Sequence, residues 1–211
     1  MDGVLVDSYE AHRKGWSALA AEEGLPYTDE DFARTFGRTS RETIAELWPA
    51  RVADAERLDA RKEALYRSFL SANFVEMPGT RKLIRALHQA GFALAVASSG
   101  PPENVELVLA RLDVIESFAA VVTGREIRRG KPDPEVFLLA AERLGVRPAR
   151  CVVVEDAPVG VAAAHAGGMA AVALLSTGRR REDFALVMPE LVVGSLDELD
   201  PARFAALLAD T

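Results

Sequence analysis

The spacing of apolar residues changes character once along the chain. Between about residues 9 and 73 they return at helical intervals: Trp16, Leu19 and Ala20 share a face, then Phe32 and Phe36, then Ile44, Leu47 and Trp48. Nothing in that stretch alternates with the period of a strand. From Met77 onward, short apolar runs at 94–97, 120–122, 151–154, 172–175 and 191–193 alternate with amphipathic segments. Such runs read as strands buried on both faces, and their alternation with helices predicts a parallel sheet with crossover helices. Helices are expected to begin near Thr80, Pro102, Pro134 and Val159, with a last one from about Asp197. Asp133 suits an N-cap, and proline suits the first helical position after it. Met77-Pro78-Gly79-Thr80 breaks one helix and lets Thr80 open the next. The expected layout is an α/β core from residues 1–8 and 77–211, interrupted by a helical domain from residues 9–76.

Composition narrows the classes of function. With 211 residues, 49% of them hydrophobic, the chain can bury one sizeable core and a small accessory domain. A net charge of −7 provides no broad basic field, which argues against binding nucleic acid or an anionic membrane. Anion binding would then rest on local groups. The short basic cluster Thr177-Gly178-Arg179-Arg180-Arg181 reads as a solvated helix entry. Cys151, the only cysteine, lies in an apolar run and reads as a buried structural thiol, with no partner in the chain for a disulfide. No apolar stretch approaches the roughly 18–20 residues that span a bilayer, and the polar start lacks a secretory pattern. A cytoplasmic protein, monomeric or weakly dimeric, is expected.

Ligands of open α/β sheets bind beyond the carboxyl ends of the strands. Four polar clusters fall at such places. Asp2-Gly3 offers a carboxylate beside a residue that permits a tight loop. Ser98-Ser99-Gly100 follows the run 94–97 and precedes a helix, so a hydroxyl and backbone N–H groups could receive a phosphate. Gly130-Lys131-Pro132-Asp133-Pro134 holds one lysine between a permissive glycine and a stiff proline, placed to neutralise a phosphoryl oxygen. Glu155-Asp156 sets two carboxylates side by side after a buried strand, a costly arrangement unless a cation joins them; an all-oxygen set suits Mg²⁺. Taken singly, each cluster has a plainer reading: a turn, a helix cap, a solvated loop lysine, a second cap.

Together, in this order, the clusters resemble the haloacid dehalogenase-like hydrolase superfamily, in the subgroup with a helical cap inserted after the first motif. Its members carry D-x-D-G-[VT]-L-x-D-S, then Ser or Thr, then G-K-P-x-P, then E-D or D-D with G-x-x-A-A-x-x-A-G. The matching residues here are Met1 to Ser8, Ser98, Gly130 to Pro134, and Glu155-Asp156 with Gly160, Ala163, Ala164 and Gly167. The resemblance implies a Rossmann-like parallel-sheet core with an inserted α-helical cap, and Mg²⁺-dependent phosphoryl transfer through an aspartyl-phosphate. It makes Asp2 the general acid and base and, through its carbonyl, a metal ligand. Ser98 and the Ser99 N–H would hold the phosphoryl group, Lys131 would stabilise it, and Asp156 with Glu155 would bind the metal. The cap would select a small phosphorylated metabolite, with His12, Trp16, Arg38, Arg41 and Lys62 as candidate contacts; for His12 and Arg41 a helix-surface role is as good a reading.

Two departures matter. The first Asp of the family motif would stand immediately before Met1, so these 211 residues are expected to lack the nucleophile and to be inactive alone. Its strand would be missing with it, from the middle of the sheet, leaving apolar surface and unpaired ladder groups. The second concerns the alternative of a β-phosphoglucomutase-like phosphomutase. Those enzymes carry Ser-Lys-Asn where this chain has Gly100-Pro101-Pro102, which offers no polar side chain to a second phosphate. A phosphatase is the favoured expectation, with a non-catalytic phosphate-binding protein as a third reading.

Overall fold

The computed structural model describes residues 1–209 and divides the chain into two compact units, at Asp7/Ser8 and at Phe74/Val75. The unit Ser8–Phe74 is wholly helical: α1 (Tyr9–Glu23), α2 (Asp29–Thr35), α3 (Ser40–Leu47), a 3₁₀ segment Pro49–Asp54 and α4 (Ala55–Ala72). Capping boxes start two of these helices. Thr28 and Asp31 exchange side-chain and backbone hydrogen bonds at α2, and Thr39 and Glu42 do the same at α3. The helical spacing read from the sequence buries Trp16, Leu19, Phe32, Ile44, Trp48 and Leu58 in one core. The indole N–H of Trp48 donates to the Pro26 carbonyl at 2.9 Å, which satisfies the polar atom of that buried ring.

The other unit, Met1–Asp7 with the chain from Val75 on, alternates helix and strand. In order these are α5 (Thr80–Gln89), β1 (Ala95–Ala97), α6 (Pro102–Leu112), β2 (Ala120–Val122), α7 (Glu135–Leu144), β3 (Val152–Glu155), α8 (Pro158–Ala166), β4 (Ala170–Leu174), β5 (Leu191–Val193) and α9 (Pro201–Ala209). All pairings between these strands are parallel, and an isolated antiparallel bridge joins Val6 to Glu76. β1 aligns Val96 with Val121 of β2; β3 aligns Val154 with Val172 of β4; β4 aligns Ala173 with Val192 of β5. Helix α7 starts one residue later than the sequence suggested. Pro134 is its N-cap, and the Asp133 carboxylate accepts the Glu135 N–H at 3.0 Å, so the cap survives with the register moved. Among the described residues no helix is long and apolar enough to cross a membrane.

The strands do not form one sheet. They form a two-stranded sheet, β1-β2, and a three-stranded sheet, β3-β4-β5. Burial follows that division. Every residue of β4, which is paired on both sides, is buried, whereas Val152, Val153 and Val154 of β3 and Ala95 and Ala97 of β1 are only partly so. Burial on both faces, expected for all the strands, is complete only in β4; the other four described strands are sheet edges, and each has partly buried residues. Cys151 is likewise half-buried rather than enclosed, its thiol donating to the Arg147 carbonyl at 3.6 Å. Burial still raises the thiol pKa.

Register partners Val154 and Val172 allow a direct comparison, because one lies on the open edge and the other in the closed sheet. Val172→Ala should cost about 2 kcal/mol and Val154→Ala less than about half of that. Denaturant unfolding of both variants checks the difference; equal losses would mean that β3 is as well packed as β4.

Candidate active site

The carboxyl ends of the strands are tied together by side chains that the strands' own burial positions. β3 ends in Glu155, 6% exposed, and the next residue, Asp156, is 9% exposed. Two adjacent buried carboxylates repel each other and lose hydration, so each needs a partner. The ammonium of Lys131 forms an ion pair with Glu155 Oε1 and lies 4.9 Å from the centre of the Phe137 ring. Asp156 Oδ2 accepts the Thr177 hydroxyl at 3.0 Å. Burial foremost, then the neighbouring Glu155, pushes the Asp156 carboxyl above the usual carboxylate range; the Met1 ammonium, the Thr177 hydroxyl and Lys131 pull in the opposite direction.

Glycines permit these approaches at two positions. Gly3 has φ +65°, and a Cβ there would stand 2.2 Å from Asp156 Oδ2. On α8, a Cβ at Gly160 would lie 2.2 Å from the Glu155 carboxylate. The opening residues fold as a tight loop in which the Met1 carbonyl accepts from Val4 and Leu5 and the Val6 carbonyl accepts from Gly3. The Ser176 hydroxyl donates to the Gly3 carbonyl at 2.5 Å and pins this loop to the segment after β4. Asp2, the residue before Gly3, is partly buried.

The third wall comes from β1 and β2. Ser98, 5% exposed, continues β1 by donating its N–H to Val122, and its hydroxyl oxygen accepts the Gly100 N–H at 3.1 Å. Ser99 is exposed. The Gly124 N–H donates to the Gly100 carbonyl at 2.8 Å, tying the loop that leaves β1 to the loop that leaves β2 and carries Lys131 to Glu155. Hydrogen bonds and an ion pair thus link the segments around Asp2, Ser98, Lys131 and Asp156. Ser176 and Thr177 are not among the residues that the sequence reading marks as candidates; Thr177 stands there only as the start of a basic run. The available signal was the same one that marked Ser98: hydroxyl residues directly after an apolar strand.

The helical unit treats its candidate residues differently. Trp16 and Lys62 are buried within it rather than projecting. Lys62 Nζ is 2.7 Å from Glu63 Oε1 and 3.0 Å from His12 Nδ1, and lies 5.3 Å from the centre of the Trp16 ring. His12 stacks on Tyr66 at 4.1 Å. Arg38 is exposed and paired with Glu46, and Arg41 is exposed. Trp16 and Lys62, expected as substrate contacts, therefore have structural partners of their own.

Among the described residues no three His, Cys, Asp or Glu side chains are grouped as a metal cage. A Mg²⁺ ion asks for less, since it keeps several waters and binds through one or two carboxylates together with substrate phosphate. A buried carboxylate with a raised pKa, Asp156, beside a second one, Glu155, fits that demand.

An α/β core with its polar clusters at the carboxyl ends of parallel strands defines a class of sheet enzymes whose catalytic groups come from loops. The profile of haloacid dehalogenase-like hydrolases matches residues 1–168, and the chain belongs to that family. It is 32% identical to a phosphorylated carbohydrates phosphatase of Thermotoga maritima, over 94% of this chain and 96% of that one. It is also 32% identical to the β-phosphoglucomutase of Bacillus subtilis, over 82% of this chain and 79% of that one. Among solved structures, a family IA haloacid dehalogenase hydrolase from Entamoeba histolytica shares the fold with a TM-score of 0.89 at 23% identity, covering 99% and 96% of the two chains.

A raised folded-state pKa means that the folded protein holds the Asp156 proton more tightly than the unfolded chain. Its ionisation therefore costs stability as pH rises from the ordinary carboxylate range through the raised value. In the presence of a chelator, Asp156→Asn should gain on the parent in melting temperature across that interval and hold the gain above it. Thermal melts from pH 4 to 8 check this; parallel curves would show that Asp156 carries no burial penalty.

Proposed function

We propose that this family member is a Mg²⁺-dependent hydrolase of phosphoric monoesters, acting on a small sugar phosphate. The observation that carries the reading is the linkage of Lys131, Glu155 and Asp156 with the Asp2-Gly3 loop at the carboxyl end of β3. The relatives named as acting on phosphorylated carbohydrates support the substrate class.

In this reading the Ser98 hydroxyl and the Ser99 N–H grip the phosphoryl oxygens, while Lys131, held by Glu155, faces their charge. Asp2 gives its proton to the leaving oxygen and later takes one from the attacking water. Asp156 and Glu155, with the Asp2 carbonyl, would hold Mg²⁺, which supplies charge neutralisation on the phosphate. In the family motif the attacking carboxylate is that of the first Asp, two positions before the one that Asp2 matches.

A phosphomutase is the second reading, favoured by the similarity to β-phosphoglucomutase. The segment after Ser99 weighs against it. Pro101 and Pro102 have no N–H, and the Gly100 N–H is already given to the Ser98 hydroxyl oxygen, so a second phosphate meets no free backbone donor at these three residues.

With p-nitrophenyl phosphate or hexose phosphates and Mg²⁺, the 211-residue chain should show no turnover. A form carrying an apolar segment that ends in Asp directly ahead of Met1 should show it, and the same segment ending in Asn should not. Robust turnover by the 211-residue chain would overturn the assignment of the nucleophile. In the active form, Asp156→Ala should weaken Mg²⁺ binding by about tenfold or more in calorimetric titration; unchanged affinity would reduce the carboxylate pair to a helix cap.

Given β-glucose 1-phosphate and catalytic β-glucose 1,6-bisphosphate, the active form should release phosphate faster than it makes glucose 6-phosphate. The reverse order would establish the mutase.

A further inference from the structure

Among the described residues, Asp113, Thr177 and Met188 have positive φ without being glycine, and Thr177 is the β-branched one. Asp113 has a local reason, since it ends α6 as a left-handed cap. Thr177 caps no helix. At φ +54° its branched side chain crowds its own backbone, and such a residue persists only where its surroundings hold it. It stands in the turn that leaves β4. The Arg179 N–H donates to the Ser176 carbonyl at 3.0 Å, which makes Thr177 and Gly178 the two central residues, both with positive φ. A turn with positive φ at both central positions is ordinarily built from Asn, Asp and Gly. Gly178 follows that rule at φ +77°, and Thr177 breaks it.

What the conformation delivers is a hydroxyl. Thr177 Oγ1 donates to Asp156 Oδ2 at 3.0 Å. Gly3 crowds the same oxygen from another direction, so closely that a Cβ on it would stand 2.2 Å away. The neighbouring Ser176 hydroxyl donates to the Gly3 carbonyl at 2.5 Å, so consecutive hydroxyls of one turn hold both sides of this contact. With Oδ2 held between a hydroxyl and a backbone, rotation of the carboxylate is restrained, and Oδ1 is the oxygen left for another ligand.

We propose that Thr177 is a positioning residue, whose hydroxyl fixes the Asp156 carboxylate with Oδ2 turned inward and Oδ1 presented to a divalent cation. The inference rests on the reading of Asp156 as a Mg²⁺ ligand and adds to it a residue beyond the span 1–168 that the family profile matches. Hydrogen-bond partners of a metal ligand set its orientation, and their loss weakens metal binding roughly ten- to hundredfold. The side chain can be dissected. Serine keeps the hydroxyl, valine keeps the branched shape without it, and glycine lacks both but suits the turn.

Mg²⁺ alone is titrated calorimetrically into the 211-residue protein and its Thr177→Ser, Thr177→Val, Thr177→Gly and Asp156→Ala variants, each below its melting range. A change in stability alone leaves the affinity of the folded protein unmoved there. Asp156→Ala, Thr177→Val and Thr177→Gly should each weaken binding by about tenfold or more, and Thr177→Ser should stay within about twofold of the parent. Should the valine variant fail to fold, the glycine variant carries the comparison. Parental affinity in the glycine variant would overturn the proposal, even with a loss in the valine variant, since the shape of the turn rather than the hydroxyl would then matter. Parental affinity in both, with Asp156→Ala weakened, would overturn it and leave the Mg²⁺ reading standing. An Asp156→Ala variant that binds like the parent, or a parent that binds no Mg²⁺, would overturn that reading and this inference with it.

Discussion

Two carboxylates on consecutive residues, buried at the end of one strand, constrain everything around them. Glu155 and Asp156 repel each other and are stripped of water, so the fold must bring them partners from distant segments. Lys131 arrives from the loop after β2, Thr177 from the loop after β4, and the Gly3 backbone from the chain's opening turn. Each partner is itself tied down: Gly3 by Ser176, and the Lys131 loop by Gly124 to the segment behind Ser98. The cost of holding two negative charges together is offset by the groups that these loops bring to them.

The split sheet sets the second constraint. A cavity of about 280 Å³ lies along the unpaired edges of β1 and β3. Val152, Val153 and Val154 along the β3 edge are only partly buried. The charged cluster sits at one end of the same void, since Glu155 belongs to its lining. β3 therefore borders both the cavity and the carboxylate pair.

Most of the architecture was legible in the apolar pattern because its causes are local. The five apolar runs became five strands, and Thr80 and Pro102 open helices where turn chemistry placed them. The one-residue shift at Pro134 reflects competition between neighbouring caps, whereas the last helix, expected from about Asp197, starts four residues later at Pro201, after a 3₁₀ segment Leu196–Glu198. What the pattern missed depends on tertiary placement. Cys151, read as enclosed, is half-buried because β3 is a sheet edge. Trp16 and Lys62 look like binding residues in a list of polar and aromatic types, yet the structure engages them with each other and with Glu63. Thr177 carries the same signal as Ser98, a hydroxyl just after an apolar strand, yet reads as part of a basic run; its contact with Asp156 depends on tertiary placement. Membership of the haloacid dehalogenase-like hydrolases was legible in four ordered motifs, and the profile match covers all of them.

The claim that these loops form one phosphate and metal site is tested most directly by amide chemical-shift mapping of the α/β unit with inorganic phosphate and Mg²⁺ together. Saturable shifts should concentrate at Gly3, Ser98, Ser99, Lys131, Asp156 and Thr177, and should weaken when either component is withheld. Shifts that scatter over the surface, or that leave Ser99, Lys131 and Asp156 unmoved at saturation, would contradict the account.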